Sequence, residues 1–355
     1  MVVGTNAQHL SLFHVGSRAL IALGTTFWGY AQPQAAYVVD ARVGEGLPTA
    51  GASHVQAVGG IWPEIAVVSG QKELAEYAGP SSVLFFEREG ALVASKAAFT
   101  DVPRMAATSH GVAYLFIPDG TYFIGGLDLG RCGKTSPADL PILAIRGDQK
   151  VARPRATRSF FAQALETDAS GNGFVVGGDM CRPGAFVAPL DASLLQLELV
   201  PESAACTERT NVEGMPFTHA YLFPSSAGGL YVLLVNQAAS SYYPDDAKRR
   251  TGACAAPPRV LERSATGTWS AARVLPENAS TIDPAGTAWA ITDHRTVMRI
   301  PQVGAPSEIA LGASCEHATA AKLTDILTLV VPFPDQPWIG VTYEGNHAGL
   351  CVAYL

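Results

Sequence analysis

The chain has 355 residues, 48% of them hydrophobic and only 15% charged, with a formal net charge of -7. That acidic balance argues against a nucleic-acid partner, which needs clustered positive potential, and no run approaches the roughly 18 apolar residues of a bilayer-spanning helix. Few charges among many apolar residues suit sheets that are covered on both faces and leave their surface to loops and edges.

The first apolar stretch, Leu10 to Gly24, carries His14, Ser17 and Arg18 and lacks a basic start. It therefore reads as two strands turning at Gly16 and Ser17 rather than as a secretory leader; an exported protein would have shed its leader before this numbering. Six further β-favouring cores follow the one at Ala19 to Leu23: Ile65 to Val68, Val112 to Ile117, Phe174 to Val176, Leu230 to Val235, Thr287 to Ile291 and Ile326 to Val331. Each follows a more polar strand and precedes a looser hairpin, which gives an a, b, c, d order within every unit. The a-to-b turns fall at Gly16, Gly60 to Pro63, Gly111, Gly171, Gly228, Gly286 and Asp325, and c-to-d hairpins turn at Glu89 and Gly90, Gly147 and Asp148, and Thr266 and Gly267. Such residues are what short antiparallel connections require. Helical periodicity is confined to a short turn over Gln71 to Ala78, and no linker divides the chain, so residues 1–355 read as one closed unit.

An all-β pattern recurring about every 40 to 60 residues resembles a seven-bladed β-propeller of four-stranded antiparallel blades. The resemblance is one of architecture over the whole chain. No WD, kelch double-glycine or tryptophan-docking repeat accompanies it, and six blades or two stacked sandwiches are the alternatives. Trp338 to Tyr343 and Leu350 to Tyr354 would complete the last blade without a borrowed strand.

A propeller implies that b-to-c loops and d-to-a connections share one face, the mouth of the central tunnel, where ligands of such folds are held. Cys132, Cys181 and Cys254 fall in b-to-c loops, Cys206 and Cys315 in d-to-a connections, and Cys351 in a last strand expected to climb toward the same rim. An even number of cysteines without zinc-type spacing points to disulfides and hence to an extracellular or periplasmic protein. Bonds between neighbours would be Cys315 with Cys351, Cys132 with Cys181 and Cys206 with Cys254; alternatively Cys181 meets Cys206 and Cys132 meets Cys254.

Four of the eight histidines, His9, His54, His219 and His317, precede a b strand by a similar interval, at the beginning of an a strand. Arg104 and Arg158 match that place in units three and four, and Ser280 or Thr281 in unit six. Side chains so placed would ring the tunnel mouth, where neutral imidazoles can hold a divalent zinc, manganese or iron ion, with His54 or His219 as a base and the arginines as anion clamps. Propeller lyases of acidic polysaccharides and four-histidine iron oxygenases look similar in using tunnel-facing histidines, although no motif of either is matched. Equally, repeat copies can share a histidine that only meets water. Trp28, Tyr30, Tyr242, Tyr243 and Trp338 are candidates to stack on a sugar or peptide at the mouth, and the loop of Tyr242 also carries Asp245, Asp246, Lys248, Arg249 and Arg250.

No GxSxG, P-loop, HExxH or calcium-loop motif is present. Three readings follow: an exported propeller binding a small molecule, carbohydrate or protein without chemistry; a metal-assisted lyase or hydrolase on an acidic or carbohydrate substrate; and a structural subunit of an extracellular assembly.

Overall fold

The computed structural model describes residues 9–15, 18–24, 37–40, 46–48, 52–61, 64–71, 82–88, 91–97, 99, 103, 105–117, 137–157, 160–179, 182–191, 193–203, 218–236, 257–311, 323–343 and 347–352, the first sheet as backbone alone. These residues form seven sheets of three or four antiparallel strands and one two-stranded ribbon.

The first sheet is β1 (His9–Val15), β2 (Arg18–Gly24), β3 (Tyr37–Asp40) and β4 (Gly46–Pro48), and the second is β5 (Ala52–Ile61), β6 (Glu64–Gln71), β7 (Ser82–Arg88) and β8 (Ala91–Ala94). The third joins β9 (Met105–Ser109), β10 (Val112–Phe116), β12 (Ile142–Arg146) and β13 (Gln149–Val151), with β11 (Ala138–Asp139) and β14 (Arg155–Ala156) as the ribbon beside it. The fourth is β15 (Phe160–Thr167), β16 (Gly173–Asp179), β17 (Arg182–Pro189) and β18 (Glu198–Leu199); the fifth β19 (Thr218–Pro224), β20 (Leu230–Asn236), β21 (Arg259–Arg263) and β22 (Arg273–Val274). The sixth is β23 (Ala279–Ile282), β24 (Ala288–Asp293), β25 (Thr296–Ile300) and β26 (Ser307–Ala310), and the seventh β27 (Leu323–Phe333), β28 (Gln336–Tyr343) and β29 (His347–Val352).

Strand order within each sheet follows chain order, so each sheet is a meander. The first strands form a ring: β1 meets β5, β5 meets β9, β9 meets β15, β15 meets β19, β23 reaches β20 and β27, and β27 returns to β1. Each core among the described residues lies between two successive sheets. Ala66, Val68 and Leu84 pack on Leu115 and Ile145, Val175 and Phe186 on Tyr114 and Ile142, Val176 and Val187 on Leu222 and Val232, Leu233 and Leu275 on Ile282 and Ala290, and Trp289 and Val297 on Ile339 and Val341. Each fully buried Leu or Ile contributes about 1.5 to 3 kcal/mol. Sheets packed face to face around a ring of inner strands make a β-propeller, and the sheets are called blades one to seven.

Blades four, five and six turn from first to second strand in the same way. Asp168, Ser225 and Asp283 each precede a positive-φ glycine by three residues, at Gly171 (φ 85°), Gly228 (φ 83°) and Gly286 (φ 85°). Asp168 Oδ1 accepts from Ser170 N (2.8 Å) and Asn172 N (2.9 Å), and Asp283 Oδ1 from Ala285 N and Thr287 N (both 2.9 Å). The acceptor at the first position gathers the amides, and glycine takes a left-handed backbone that other residues resist. Blade three turns instead at His110 (φ 49°) and Gly111 (φ 75°), the two left-handed residues of a type I′ hairpin.

The last blade corrects the sequence expectation. Ile326 to Val331 belongs to the first strand, β27, not the second, and the turn falls at Asp335 (φ 57°) rather than Asp325. Trp338 to Tyr343 is then the second strand and Leu350 enters the third, with no fourth strand among the described residues. The run was misread because both strands are apolar, so hydropathy alone does not tell inner from second.

Candidate functional site

The inner strands run from the mouth rim, where the connections between blades arrive, to the rim of tight turns. Side chains of neighbouring blades satisfy part of their tunnel-side backbone. Thr167 bonds both backbone groups of Thr108 at 2.9 Å, and Gln163 Oε1 accepts from Ala220 N at 2.9 Å. Gln163 is the extra residue of a bulge in β15; similar bulges place Ser53, Ser280 and Thr324 as extra residues near the mouth ends of β5, β23 and β27. Bulges re-aim side chains at sheet edges, and Ser280 and Thr324 are both exposed.

His9 is the first residue of β1, His54 the third of β5 and His219 the second of β19. Of these, the side chain of His219 is described. It is half-buried, has no hydrogen-bond partner among the described residues, and burial holds its imidazole below the ordinary 6.5. Tyr221, two residues on along the same face, is 36% exposed in the middle of an innermost strand. His219, Tyr221 and Phe223 alternate onto the side of blade five that faces blade six, and there β23 meets β20 rather than reaching inward.

His317 lies outside the described residues; β27, the inner strand of blade seven, is described from Leu323, and Thr324 holds its second described position. Arg104 and Arg158, immediately before β9 and two residues before β15, also lie outside the described residues, as do Trp28, Tyr30, Tyr242 and Tyr243. Trp338 is described and is no mouth platform: it is 7% exposed in β28, and its indole Nε1 has no partner among the described residues.

Cys132, Cys181, Cys206, Cys254 and Cys315 fall outside the described residues. Cys351 is 2% exposed and disulfide-bonded. It corrects a second expectation: β29 runs away from the mouth, and Cys351 pairs with Ile339, itself opposite Leu329 deep in β27. The thiols therefore do not all gather at the mouth. Its core neighbours include Leu311, the last described residue before the connection that carries Cys315.

Two acids escaped the sequence reading. Glu166, next to the tight turn in β15, accepts from Thr167 N at 2.8 Å, and burial pushes its carboxyl up to about 8 although part of the residue still reaches solvent. Asp283 is fully buried; Asp335 N and Trp289 Nε1 both approach its Oδ2 at 3.4 Å, and desolvation raises its carboxyl despite those donors. Nothing in their local sequence sets Glu166 apart from a surface acid, but the Asp-x-x-Gly spacing at Asp283 was visible. Among the described residues no three His, Cys, Asp or Glu side chains converge as a metal site, and no helix is long and apolar enough to cross a membrane.

No family model and no curated protein matches the sequence. Solved structures similar in shape include YCF48 bound to D1 peptide (9% identity, TM-score 0.48, covering 100% of this chain and 96% of that one). A Lactobacillus plantarum protein is similar at 10% identity and TM-score 0.45, covering 95% of each chain. The GH74 enzyme of Niastella koreensis is similar at 10% identity and TM-score 0.48, over 98% of this chain and 53% of that one. The chain is a β-propeller on its own sheet order and on the circle of blade contacts that returns from β27 to β1.

Proposed function

We propose that residues 1–355 form one exported propeller domain, extracellular or periplasmic and stapled by disulfides, that binds a ligand or partner protein at the tunnel mouth without chemistry. The observation that carries this reading is His219: a half-buried imidazole with both nitrogens unengaged among the described residues, beside an exposed Tyr221 on an inner strand. A polar group removed from water without a partner costs stability, and its retention at a concave rim favours a ligand that completes it. Hydrogen exchange of the purified protein, alone and with panels of oligosaccharides and extended peptides, tests this. Protection should rise in β19 and β23 and stay unchanged in the turns at 225–229 and 283–287; protection only at those turns would refute the reading.

A second reading, a metal-assisted lyase or hydrolase, is favoured by one observation: His9, His54 and His219 all stand at the mouth ends of innermost strands. Neutral imidazoles suit zinc, manganese or iron. Stoichiometric metal in the purified protein, lost in a His54→Ala, His219→Ala double variant, would support it, and metal-free protein would count against it.

A further inference from the structure

The described side chains on the mouth-side halves of the inner strands of blades five to seven include no Lys or Arg; among them are His219 and Tyr221 of β19, Ser280 of β23 and Thr324 of β27. The described arginines of these blades lie on outer strands or in a turn, and four of them are engaged there. Arg259 pairs with Glu202 (2.9 Å), Arg263 with Glu198 (3.0 Å) and Arg299 with Asp335 (2.6 Å). Arg273 donates to the carbonyls of Ile300 (3.3 Å), Pro301 (3.2 Å) and Gly286 (2.5 Å). Arg295, in the β24–β25 turn at the mouth rim of blade six, is exposed and stands two residues from Asp293, so that turn adds one charge of each sign rather than a cationic patch. An anionic ligand lying on this arc would lose water and meet no Lys or Arg among the described side chains of the inner strands, a costly exchange.

Neutral hydroxyl-bearing ligands fit better. A neutral imidazole offers one donor and one acceptor, Ser and Thr hydroxyls offer both, and an exposed Tyr ring presents a flat apolar face. Burial of His219 keeps it in that neutral form around pH 7. A peptide adding as an extra strand along β19 fits worse, because the Ala220 N–H it would pair with is already taken by Gln163. We propose that the arc formed by His219, Tyr221, Ser280 and Thr324 binds an uncharged oligosaccharide, with Tyr221 as the stacking platform. This rests on the reading of the mouth as the binding face and narrows its ligand class.

The test is calorimetric titration of the full chain with cellohexaose, xylohexaose and maltohexaose, with hexagalacturonate as the acidic comparator and an extended uncharged peptide as the polymer control. At least one neutral hexasaccharide should bind with an affinity that added salt leaves unchanged. Tyr221→Ala should weaken it by about tenfold or more, whereas Tyr221→Phe, which keeps the ring, should stay within about threefold. Binding of hexagalacturonate or the peptide in preference to all neutral sugars, with exchange protection in β19, would overturn the oligosaccharide assignment and leave the mouth reading standing. No binding by any probe, with no protection in β19, would overturn both.

Discussion

The side-chain hydroxyl of Thr167 in blade four donates to the carbonyl of Thr108 in blade three and accepts from the N–H of the same residue, each at 2.9 Å. Both residues are buried. In β9 the pairing Ser109 with Val112 closes the hairpin, which leaves Thr108 a non-hydrogen-bonded position whose backbone groups face away from β10. One side chain thus closes two backbone groups that would otherwise be buried without partners.

Thr167→Val keeps the shape and removes the hydroxyl. It should cost about 2 to 4 kcal/mol, because each stranded buried group costs about 1 to 3, while Thr167→Ser should cost less than half as much. Equilibrium guanidinium unfolding of the three proteins measures both, and a Thr167→Ser loss as large as that of Thr167→Val would refute the assignment to the hydroxyl.

The two aspartate turns should differ in cost. Asp168 serves its own turn and Asn172, whereas Asp283 also receives Trp289 Nε1 and the backbone N–H of Asp335 from blade seven. Asp168→Ala should cost about 1 to 2 kcal/mol and Asp283→Ala about 2 to 4. Thermal unfolding of the two variants should rank them in that order.

Two groups impose opposite slopes on stability against pH. Glu166 has a folded value near 8 against an ordinary 4.5, so between these values the folded state holds the extra proton. Its contribution is complete below about pH 4.5 and is lost as pH rises through 8; residual solvent access limits it to about 1 to 2 kcal/mol. Glu166→Gln should flatten that decline and be the more stable protein at pH 8.5. His219 is depressed below 6.5, so the unfolded state takes the proton first and stability falls as pH drops below 6.5. His219→Gln should remove that acid-side loss, and chemical unfolding across pH 5 to 9 resolves the two windows.

Cys351 should be found joined to Cys315. Leu311 shares its core, and Cys315 follows Leu311 with only three residues between them. Peptide mapping without reductant should recover that linked pair, and Cys315→Ser with Cys351→Ser should lower stability by about 2 to 4 kcal/mol. Recovery of Cys351 linked to any of the other four cysteines would refute the pairing.

Local chemistry explains what the sequence disclosed. Six second strands were legible because a glycine turn precedes each apolar core; the seventh was not, since β27 and β28 are both apolar and Asp325 resembled a turn residue more than Pro334 and Asp335 did. His219 was legible as a recurring position. Tyr221 was not, because its exposure depends on how far β23 stands back from the axis, a tertiary outcome with no local code. Glu166 was hidden for the same reason: its protonation is set by what surrounds it rather than by its neighbours in the chain. Thr324 could be placed only once β27 was known to be the inner strand.

The tight turns of blades four to six close on their own backbone and leave almost no room for added residues. The opposite rim is joined by long stretches, such as the 22 residues from 237 to 258 between β20 and β21. Sequence drift and loop grafting are thereby channelled to a single end of the barrel-like stack. New specificities can be installed there by swapping segments, while the far end keeps the circle shut.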